Sequence, residues 1–146
     1  MKKSIFVFSL IISFIAFGLI LTTNTAFSKD QPVNSKVIVY YLHNTFRCPS
    51  CFKIETYTKE AINTNFAKEL KDGTLVFKAI NFDEKANKHY VEDYQLYTKS
   101  VVLSKIKNGK QVEWKNPDKI WTLLGDKTKF QQYIKTEITN FLKGSK

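Results

Sequence analysis

The sequence has only two cysteines, Cys48 and Cys51, and this number excludes a scaffold held together by several disulfides. It contains no internal repeat and no low-complexity tract, and its basic residues never form a run of five or more. Hydrophobic residues make up 43% of the chain and aromatic residues 14%, which is too much for an intrinsically disordered protein or a coiled coil. A chain of 146 residues with this composition is therefore expected to contain one compact domain.

Residues 1–28 have the composition of a targeting segment. Lys2 and Lys3 are followed by a long uncharged stretch that is almost wholly apolar up to residue 21. The small residues Ala26 and Ser28 fit a signal peptidase that cleaves after Ser28, whereas the apolar run approaches the roughly 20 residues that span a bilayer. A cleaved signal peptide and a retained N-terminal membrane anchor are therefore both open. In either case the two lysines stay inside and the folded domain is exported.

The formal net charge of +10 comes from lysines that are spread over the chain. This distribution is typical of a solvated surface, and it also favours contact with an anionic membrane surface. Because the domain is expected outside the cytoplasm, we predict no nucleic-acid partner. We expect the protein to be a monomer.

Residues 29–35 are polar and predict a short tether, and residues 36–143 predict the domain itself. The apolar run Val37–Leu42 is typical of a strand that is buried on both faces. Apolar residues at helical spacing predict a helix over residues 49–71. The pair Asn108-Gly109 is a strong β-hairpin signal. Other patterns predict strands over 74–82, 100–107 and 110–114, a short helix over 87–94, a helix start at 116–118 with Asn116 as cap and Pro117 as first residue, and a last helix after Gly125-Asp126.

The predicted element order is βαβαββα. A strand followed by a long helix and another strand implies a right-handed parallel crossover. The Asn-Gly hairpin then adds an antiparallel pair, and the last helix returns to cover the sheet. The predicted fold class is α/β, with a four-stranded mixed sheet and helices on both faces.

Cys48 and Cys51 stand at the predicted start of the long helix. Pro49 suits the first helical position, which needs no N–H, so Cys48 falls at the N-cap, where its sulfur can accept hydrogen bonds from the first turn. The helix dipole and the adjacent Arg47 favour the thiolate over the thiol by lowering the thiol pKa. Because the thiolate is the nucleophile in disulfide exchange, we predict that Cys48 attacks a substrate and that Cys51 resolves the mixed disulfide.

A Cys-x-x-Cys pair has three other common uses. A structural staple gains little, because closing a four-residue loop is worth only about 2 kcal/mol. Haem attachment requires His after the second cysteine, and Phe52 stands there. A zinc site lacks a second cysteine pair, and the only histidines are His43 and His89. A soft ion such as Cu(I) needs only two thiols, so binding of a soft metal or metalloid stays open as the alternative to redox chemistry.

Over residues 36–143 the sequence resembles the thioredoxin-like family. The likeness rests on a buried strand, a Cys-x-x-Cys turn that opens a long helix, a second strand–helix unit, a hairpin and a closing helix. Phe46 stands where thioredoxins carry an aromatic residue, and Pro49-Ser50 places proline first between the cysteines, as in glutaredoxins. An exported domain of this kind is similar to the extracytoplasmic thioredoxin-like proteins of bacteria, which reduce or oxidise thiols on exported partners.

The resemblance implies a redox-active disulfide between Cys48 and Cys51 and no other cofactor. The implied partners are exported protein thiols or disulfides and an unidentified redox donor or acceptor. The family usually has a cis-proline at the start of the third strand, where this chain has Ser100. Because a cis bond before a non-proline residue costs about 2.5–4 kcal/mol, we expect a trans bond there. The first strand also lacks the buried carboxylate of thioredoxins, and Glu55 is either a substitute proton acceptor or a solvated helix residue.

The first functional hypothesis is an exported thiol–disulfide oxidoreductase with Cys48 as nucleophile and Cys51 as resolving thiol. A binding protein for a soft metal or metalloid is the alternative, and a non-catalytic adaptor that uses the loop Tyr97–Ser100 is a third hypothesis. The residues expected to tune the thiol pKa or to contact the substrate are Phe46, Arg47, Pro49 and Ser100.

Overall fold

The structure is a computed structural model that describes residues 35–144. The predicted targeting segment over residues 1–28 and residues 29–34 of the predicted tether lie outside the described residues, so both assignments stay predictions. Residue 35, the last of the predicted tether, is instead the first residue of a strand, because it pairs with Lys107. Within residues 35–144, no helix is long and apolar enough to cross a membrane.

Four strands form one mixed sheet, namely β1 (Ser35–His43), β2 (Leu75–Asn81), β3 (Ser100–Lys107) and β4 (Lys110–Lys115). Their order across the sheet is β2-β1-β3-β4. β1 pairs in parallel with β2 and antiparallel with β3, and β3 pairs antiparallel with β4. The central strand β1 is buried from Val37 to Leu42, as its unbroken apolar run predicts.

The helices are α1 (Pro49–Asn65), α2 (Ala67–Lys71), α3 (His89–Asp93) and α4 (Lys127–Lys143). α1 and α2 connect the parallel strands β1 and β2. α1 and α4 pack against each other, and their apolar residues join one core cluster with one face of the sheet. Tyr94 and Leu96, which follow α3, belong to a second cluster on the other face. The prediction of an α/β fold with a four-stranded mixed sheet and helices on both faces is therefore confirmed.

The element order and the strand order together make this a thioredoxin-like fold. A parallel strand–helix–strand unit is followed by an antiparallel hairpin and a closing helix. The hairpin turn has φ values of 52° at Asn108 and 77° at Gly109. Two left-handed residues in succession are what a type I′ turn requires, so the hairpin prediction is also confirmed.

The predicted single helix over residues 49–71 is wrong in one respect, because the chain forms two helices there. Phe66 lies between them with φ −133° and ψ 32°, outside the helical region. Its ring is buried in the core cluster between the sheet and the helices. The side-chain amide of Asn65 donates to the carbonyl oxygen of Ala61 at 2.8 Å and competes with the helical backbone for that acceptor. The helix therefore breaks for two reasons. The Phe66 ring is buried in the core, and the Asn65 side chain binds a backbone carbonyl oxygen at the end of the first helix.

The helix start predicted at residues 116–118 is also corrected. Only one 3₁₀ turn forms, Asp118–Ile120, and Pro117 is its cap instead of its first residue. Pro117 has ψ 98°, which is extended, so Asn116 lies outside the turn and caps nothing. The break at Gly125-Asp126 is confirmed, because the Asp126 carboxylate caps α4 by accepting a hydrogen bond from the backbone N–H of Lys129 at 3.0 Å.

Candidate functional site

Cys48 and Cys51 form a disulfide at the N-terminus of α1. Cys48 is the N-cap residue with an extended backbone, and its Sγ accepts a hydrogen bond from the Cys51 N–H at 3.3 Å. Its carbonyl oxygen accepts from the same N–H at 2.9 Å and from the N–H of Phe52 at 3.2 Å. Pro49 is the first helical residue and has no N–H to leave unpaired. The predicted capping geometry is therefore confirmed, and it directs the N–H of Cys51 toward the Cys48 sulfur.

The two cysteines differ in their exposure to solvent. Cys51 is 0% exposed, whereas Cys48 is partly exposed. The hydroxyl of Tyr41 on β1 donates to the Cys51 carbonyl oxygen at 2.8 Å and ties this turn of α1 to the sheet. A reagent that approaches the disulfide from solvent therefore meets Cys48 before Cys51.

Arg47 directly precedes Cys48, and its side chain extends along the first two turns of α1 as far as Glu55. Its Nη2 donates to Oε2 of Glu55 in an ion pair whose two side chains are each 19% exposed. Its guanidinium carbon lies 4.5 Å from the centre of the Phe52 ring and 5.5 Å from that of Tyr41, within the range of cation–π contacts. The positive charge expected to favour the thiolate is thus present, but a carboxylate faces it.

Glu55 is committed to cations on both of its oxygens. Oε2 accepts from Arg47, and Oε1 accepts from Lys59 Nζ at 3.4 Å. Burial acts to raise the pKa of Glu55, but the hydrogen bonds and charges of Arg47 and Lys59 outweigh it and hold the pKa below its usual value. A carboxylate whose pKa lies below its usual value binds a proton weakly and is therefore a poor proton acceptor at neutral pH. The structure therefore assigns Glu55 to Arg47 and gives no support to its suggested use as a proton acceptor.

Ser100 begins β3 opposite Leu42 of β1, at the end of the sheet from which β1 leads to Cys48. None of the peptide bonds within residues 35–144 is cis, so the expected trans bond at Ser100 is confirmed. The Ser100 hydroxyl donates to the Thr98 carbonyl oxygen at 3.0 Å. The indole Nε1–H of Trp121 donates to the Lys99 carbonyl oxygen at 3.1 Å. The loop Tyr97–Ser100 is therefore held in place by hydrogen bonds without a proline.

This loop adjoins the residues before the disulfide. Lys99 Nζ lies 5.8 Å from the centre of the Phe46 ring. Phe46 is 73% exposed, Phe52 53% and Tyr97 98%, and Val112 on β4 is the fourth exposed large hydrophobic residue within the described range. Phe46 and Phe52 lie within two residues of a cysteine, and Tyr97 lies in the adjoining loop. Exposed apolar side chains grouped in this way are typical of a surface that contacts another molecule.

The structure thus brings Phe46, Arg47, Cys48, Pro49 and Cys51 together in one turn, with the Ser100 loop beside it. Sequence reasoning missed the contacts that surround Arg47. The available signal was that Glu55 is the only carboxylate in the first ten residues of α1, two turns beyond Arg47. The contribution of Tyr41 from β1 had no local signal, because it depends on the packing of the helix on the sheet.

The described residues contain no group of three or more His, Cys, Asp and Glu side chains that could hold a metal ion. His43 lies against the carbonyl oxygen of Asn44, with its Nδ1 at 2.9 Å. His89 Nδ1 lies 2.7 Å from the Asp93 carboxylate on α3.

The chain is similar to several solved thioredoxin structures at low sequence identity. A thioredoxin of Fasciola hepatica is 17% identical with a TM-score of 0.42, over 76% of this chain and 82% of that one. A Schistosoma mansoni thioredoxin pre-protein is 18% identical with a TM-score of 0.42, over 71% and 81%. The oxidised thioredoxin from Plasmodium falciparum is 14% identical with a TM-score of 0.41, over 70% and 81%.

No family model matches the chain, and no curated protein matches it. The likeness to the solved structures is too low to add to the fold assignment, which rests on the order and pairing of the strands described above. What the chain has is a thioredoxin-like fold with a Cys-x-x-Cys disulfide at the N-terminus of its longest connecting helix, and this combination supports thiol–disulfide exchange.

Proposed function

We propose that this protein is an exported thiol–disulfide oxidoreductase that exchanges disulfides with protein thiols through Cys48 and Cys51. The observation that carries the proposal is the disulfide at the N-terminus of α1, with Cys48 partly exposed and Cys51 buried. An exchanging disulfide needs one accessible sulfur whose thiolate is stabilised by its surroundings, and the capped helix N-terminus supplies both conditions. A purely structural staple needs neither.

In the reductive direction, the Cys48 thiolate attacks one sulfur of a substrate disulfide. A bond forms between Cys48 and that sulfur, and the other substrate sulfur leaves as a thiolate. Cys51 then attacks the Cys48 sulfur and gives up its proton to the substrate thiolate, so that the Cys48–Cys51 disulfide forms and the second substrate sulfur leaves as a thiolate. The substrate gains two electrons and the protein loses two. The same steps in reverse oxidise a substrate dithiol.

The other candidate residues have supporting roles in this proposal. Pro49 fixes the backbone at the first helical position and so orients Cys48 as the cap. Phe46 and Tyr97 offer exposed aromatic surface to the polypeptide that carries the substrate sulfur. Ser100 begins the strand beside this surface and keeps the loop ordered through its bond to Thr98.

The site of action proposed is outside the cytoplasm. The support for this comes from the sequence of residues 1–28, with its two lysines and long apolar run. The proposed partners are exported protein thiols or disulfides and a redox donor or acceptor that restores the active state. We propose that the protein acts as a monomer and binds no nucleic acid. Fractionation of the producing cells tests the location, and recovery of the protein in the cytoplasm would contradict it.

The direct test of the proposed activity is turnover. We expect the wild-type protein to accelerate the reduction of insulin disulfides by dithiothreitol or the reactivation of scrambled ribonuclease. Cys48→Ser should reduce this rate to that of the double variant lacking both cysteines, which sets the background. Cys51→Ser should accumulate a mixed disulfide between Cys48 and the substrate.

Two results would contradict the proposal. The first is turnover that survives Cys48→Ser, and the second is a wild-type rate in both assays no greater than that of the double variant. If a wild-type protein without turnover binds Cu(I) or arsenite stoichiometrically through the reduced cysteines, the soft-metal alternative applies instead.

A further inference from the structure

A compact group of side chains encloses the charge that lies next to Cys48. It consists of Tyr41, Arg47, Phe52 and Glu55, and is called the Arg47 cluster here. The guanidinium group lies against the rings of Phe52 and Tyr41 and donates to Glu55. Nε of Arg47 is buried and has no hydrogen-bond partner among residues 35–144. The position of the guanidinium group therefore depends on the two rings and on one carboxylate.

The Arg47 cluster is connected to both cysteines. Arg47 directly precedes Cys48 and Phe52 directly follows Cys51, so each is one Cα–Cα step of about 3.8 Å from a cysteine. The Tyr41 hydroxyl contacts the Cys51 carbonyl oxygen at 2.8 Å. The Arg47 cluster therefore includes sequence neighbours of both cysteines, and its two charged side chains are each only 19% exposed, so that solvent screens their charges incompletely.

The two redox states of the pair respond differently to such a charge. The oxidised disulfide is neutral, whereas the reduced pair carries a negative charge when Cys48 is a thiolate. A positive charge nearby stabilises the reduced state, and a negative charge stabilises the oxidised state relative to it. Arg47 and Glu55 act in opposite directions, and as an ion pair they largely cancel. The Arg47 cluster thus contains a cation from the residue before Cys48, and it also contains Glu55, whose negative charge limits the effect of that cation on the redox equilibrium.

We propose that Glu55 is a positioning residue that sets the redox equilibrium of the Cys48–Cys51 pair by holding and neutralising Arg47. This inference rests on the proposed function, because it needs a disulfide that exchanges. Its distinguishing consequence is a pair of opposite effects. Loss of the Glu55 charge makes the pair a stronger oxidant, and loss of the Arg47 charge makes it a stronger reductant.

The test measures the equilibrium of the full-length protein with glutathione, in which one protein disulfide and two glutathione thiols give one protein dithiol and one glutathione disulfide. We expect Glu55→Gln to shift the constant about tenfold toward the dithiol and Arg47→Gln about tenfold away from it. A tenfold change corresponds to about 30 mV for this two-electron couple. The double variant Arg47→Gln/Glu55→Gln should return to within about threefold of wild type, because the two charges are then both absent.

Glu60→Gln is the matched control. Glu60 lies on the same helix and accepts from Lys127 at 2.7 Å and from Gln131 at 2.7 Å on α4, away from the Arg47 cluster. Its substitution removes the same charge and should leave the constant within about twofold of wild type. If Arg47→Gln does not fold, Arg47→Met replaces it, because the methionine keeps an apolar stem between the two rings.

A merely structural role predicts a different pattern. If both single variants shift the constant in the same direction, or if Glu55→Gln shifts it no more than Glu60→Gln does, the proposal is wrong while the proposed function stands. If the wild-type disulfide does not equilibrate with glutathione at all, the proposed function fails and this inference fails with it. The wild-type equilibrium together with the turnover assay therefore separates the two failures.

Discussion

Cys48 and Cys51 share one disulfide, but their surroundings give them different chemical capacities. Cys48 has the helix N-terminus, partial exposure and Arg47 beside it, whereas Cys51 is fully buried and its turn is held to β1 by Tyr41. The difference arises from position alone, because both residues carry the same thiol. Tyr41 illustrates how a side chain outside the motif takes part, since its hydroxyl and its ring contact the turn and the Arg47 guanidinium at once.

The burial of Tyr41 predicts a loss of stability in alkaline solution. Burial, opposed in part by the charge of Arg47, raises the pKa of Tyr41 to about 12 from about 10 in an unfolded chain. Between about pH 10 and 12 the unfolded chain therefore releases a proton that the folded chain keeps. The free energy of unfolding should fall as pH rises through this window, and below it Tyr41 should contribute no pH dependence.

Urea unfolding of Tyr41→Phe at several pH values from 9 to about 12 checks this expectation. The variant lacks the ionising group, so its stability should fall less steeply than that of wild type. Parallel curves for wild type and Tyr41→Phe would show that the folded state does not hold this proton.

The strands and helices of this domain follow from local signals where those signals are strong. The apolar run of β1, the Asn108-Gly109 turn and the Asp126 cap each act within a few residues, and all three were predictable. The break at Phe66 was not, because the burial of that ring is a tertiary effect that overrides helical spacing. Likewise, the contact of Arg47 with Glu55 depends on how the Arg47 side chain packs against the rings of Tyr41 and Phe52, which no local pattern decides.

The hairpin between β3 and β4 offers a prediction at the level of an element. Gly109 has φ 77° and no heavy atom within 4 Å of an added Cβ, so only backbone conformation opposes a side chain there. Gly109→Ala should lower the free energy of unfolding by about 1–2 kcal/mol. Gly125 has equal space and no left-handed φ, so Gly125→Ala should be neutral or stabilising by up to about 1 kcal/mol.

Chemical denaturation of both variants beside wild type measures the two effects. The comparison separates the left-handed backbone from the general cost of adding a methyl group, because neither site is crowded. Equal stabilities for the two variants would mean that the turn does not need its left-handed residue.

In the domain as a whole, the exposed aromatic side chains lie near the disulfide. Phe46 and Phe52 flank the two cysteines in sequence, and Tyr97 lies in the loop that adjoins Phe46. Three of the four exposed large hydrophobic residues within residues 35–144 belong to this region, and the fourth is on β4. The fold class and the position of the cysteines could be predicted because they follow from element order and from one motif. The ion pair of Arg47 was indicated only by the single carboxylate in the first ten residues of α1, because the direction of the Arg47 side chain depends on its contacts with the rings of Tyr41 and Phe52.

The most direct measurement is the site of first alkylation in the reduced, full-length protein. A substoichiometric amount of iodoacetamide at neutral pH, followed by peptide mass spectrometry, identifies which sulfur reacts. The unequal exposure and the helix cap predict that nearly all of the label is found on Cys48. Label divided equally between the two cysteines, or found mainly on Cys51, would contradict the account.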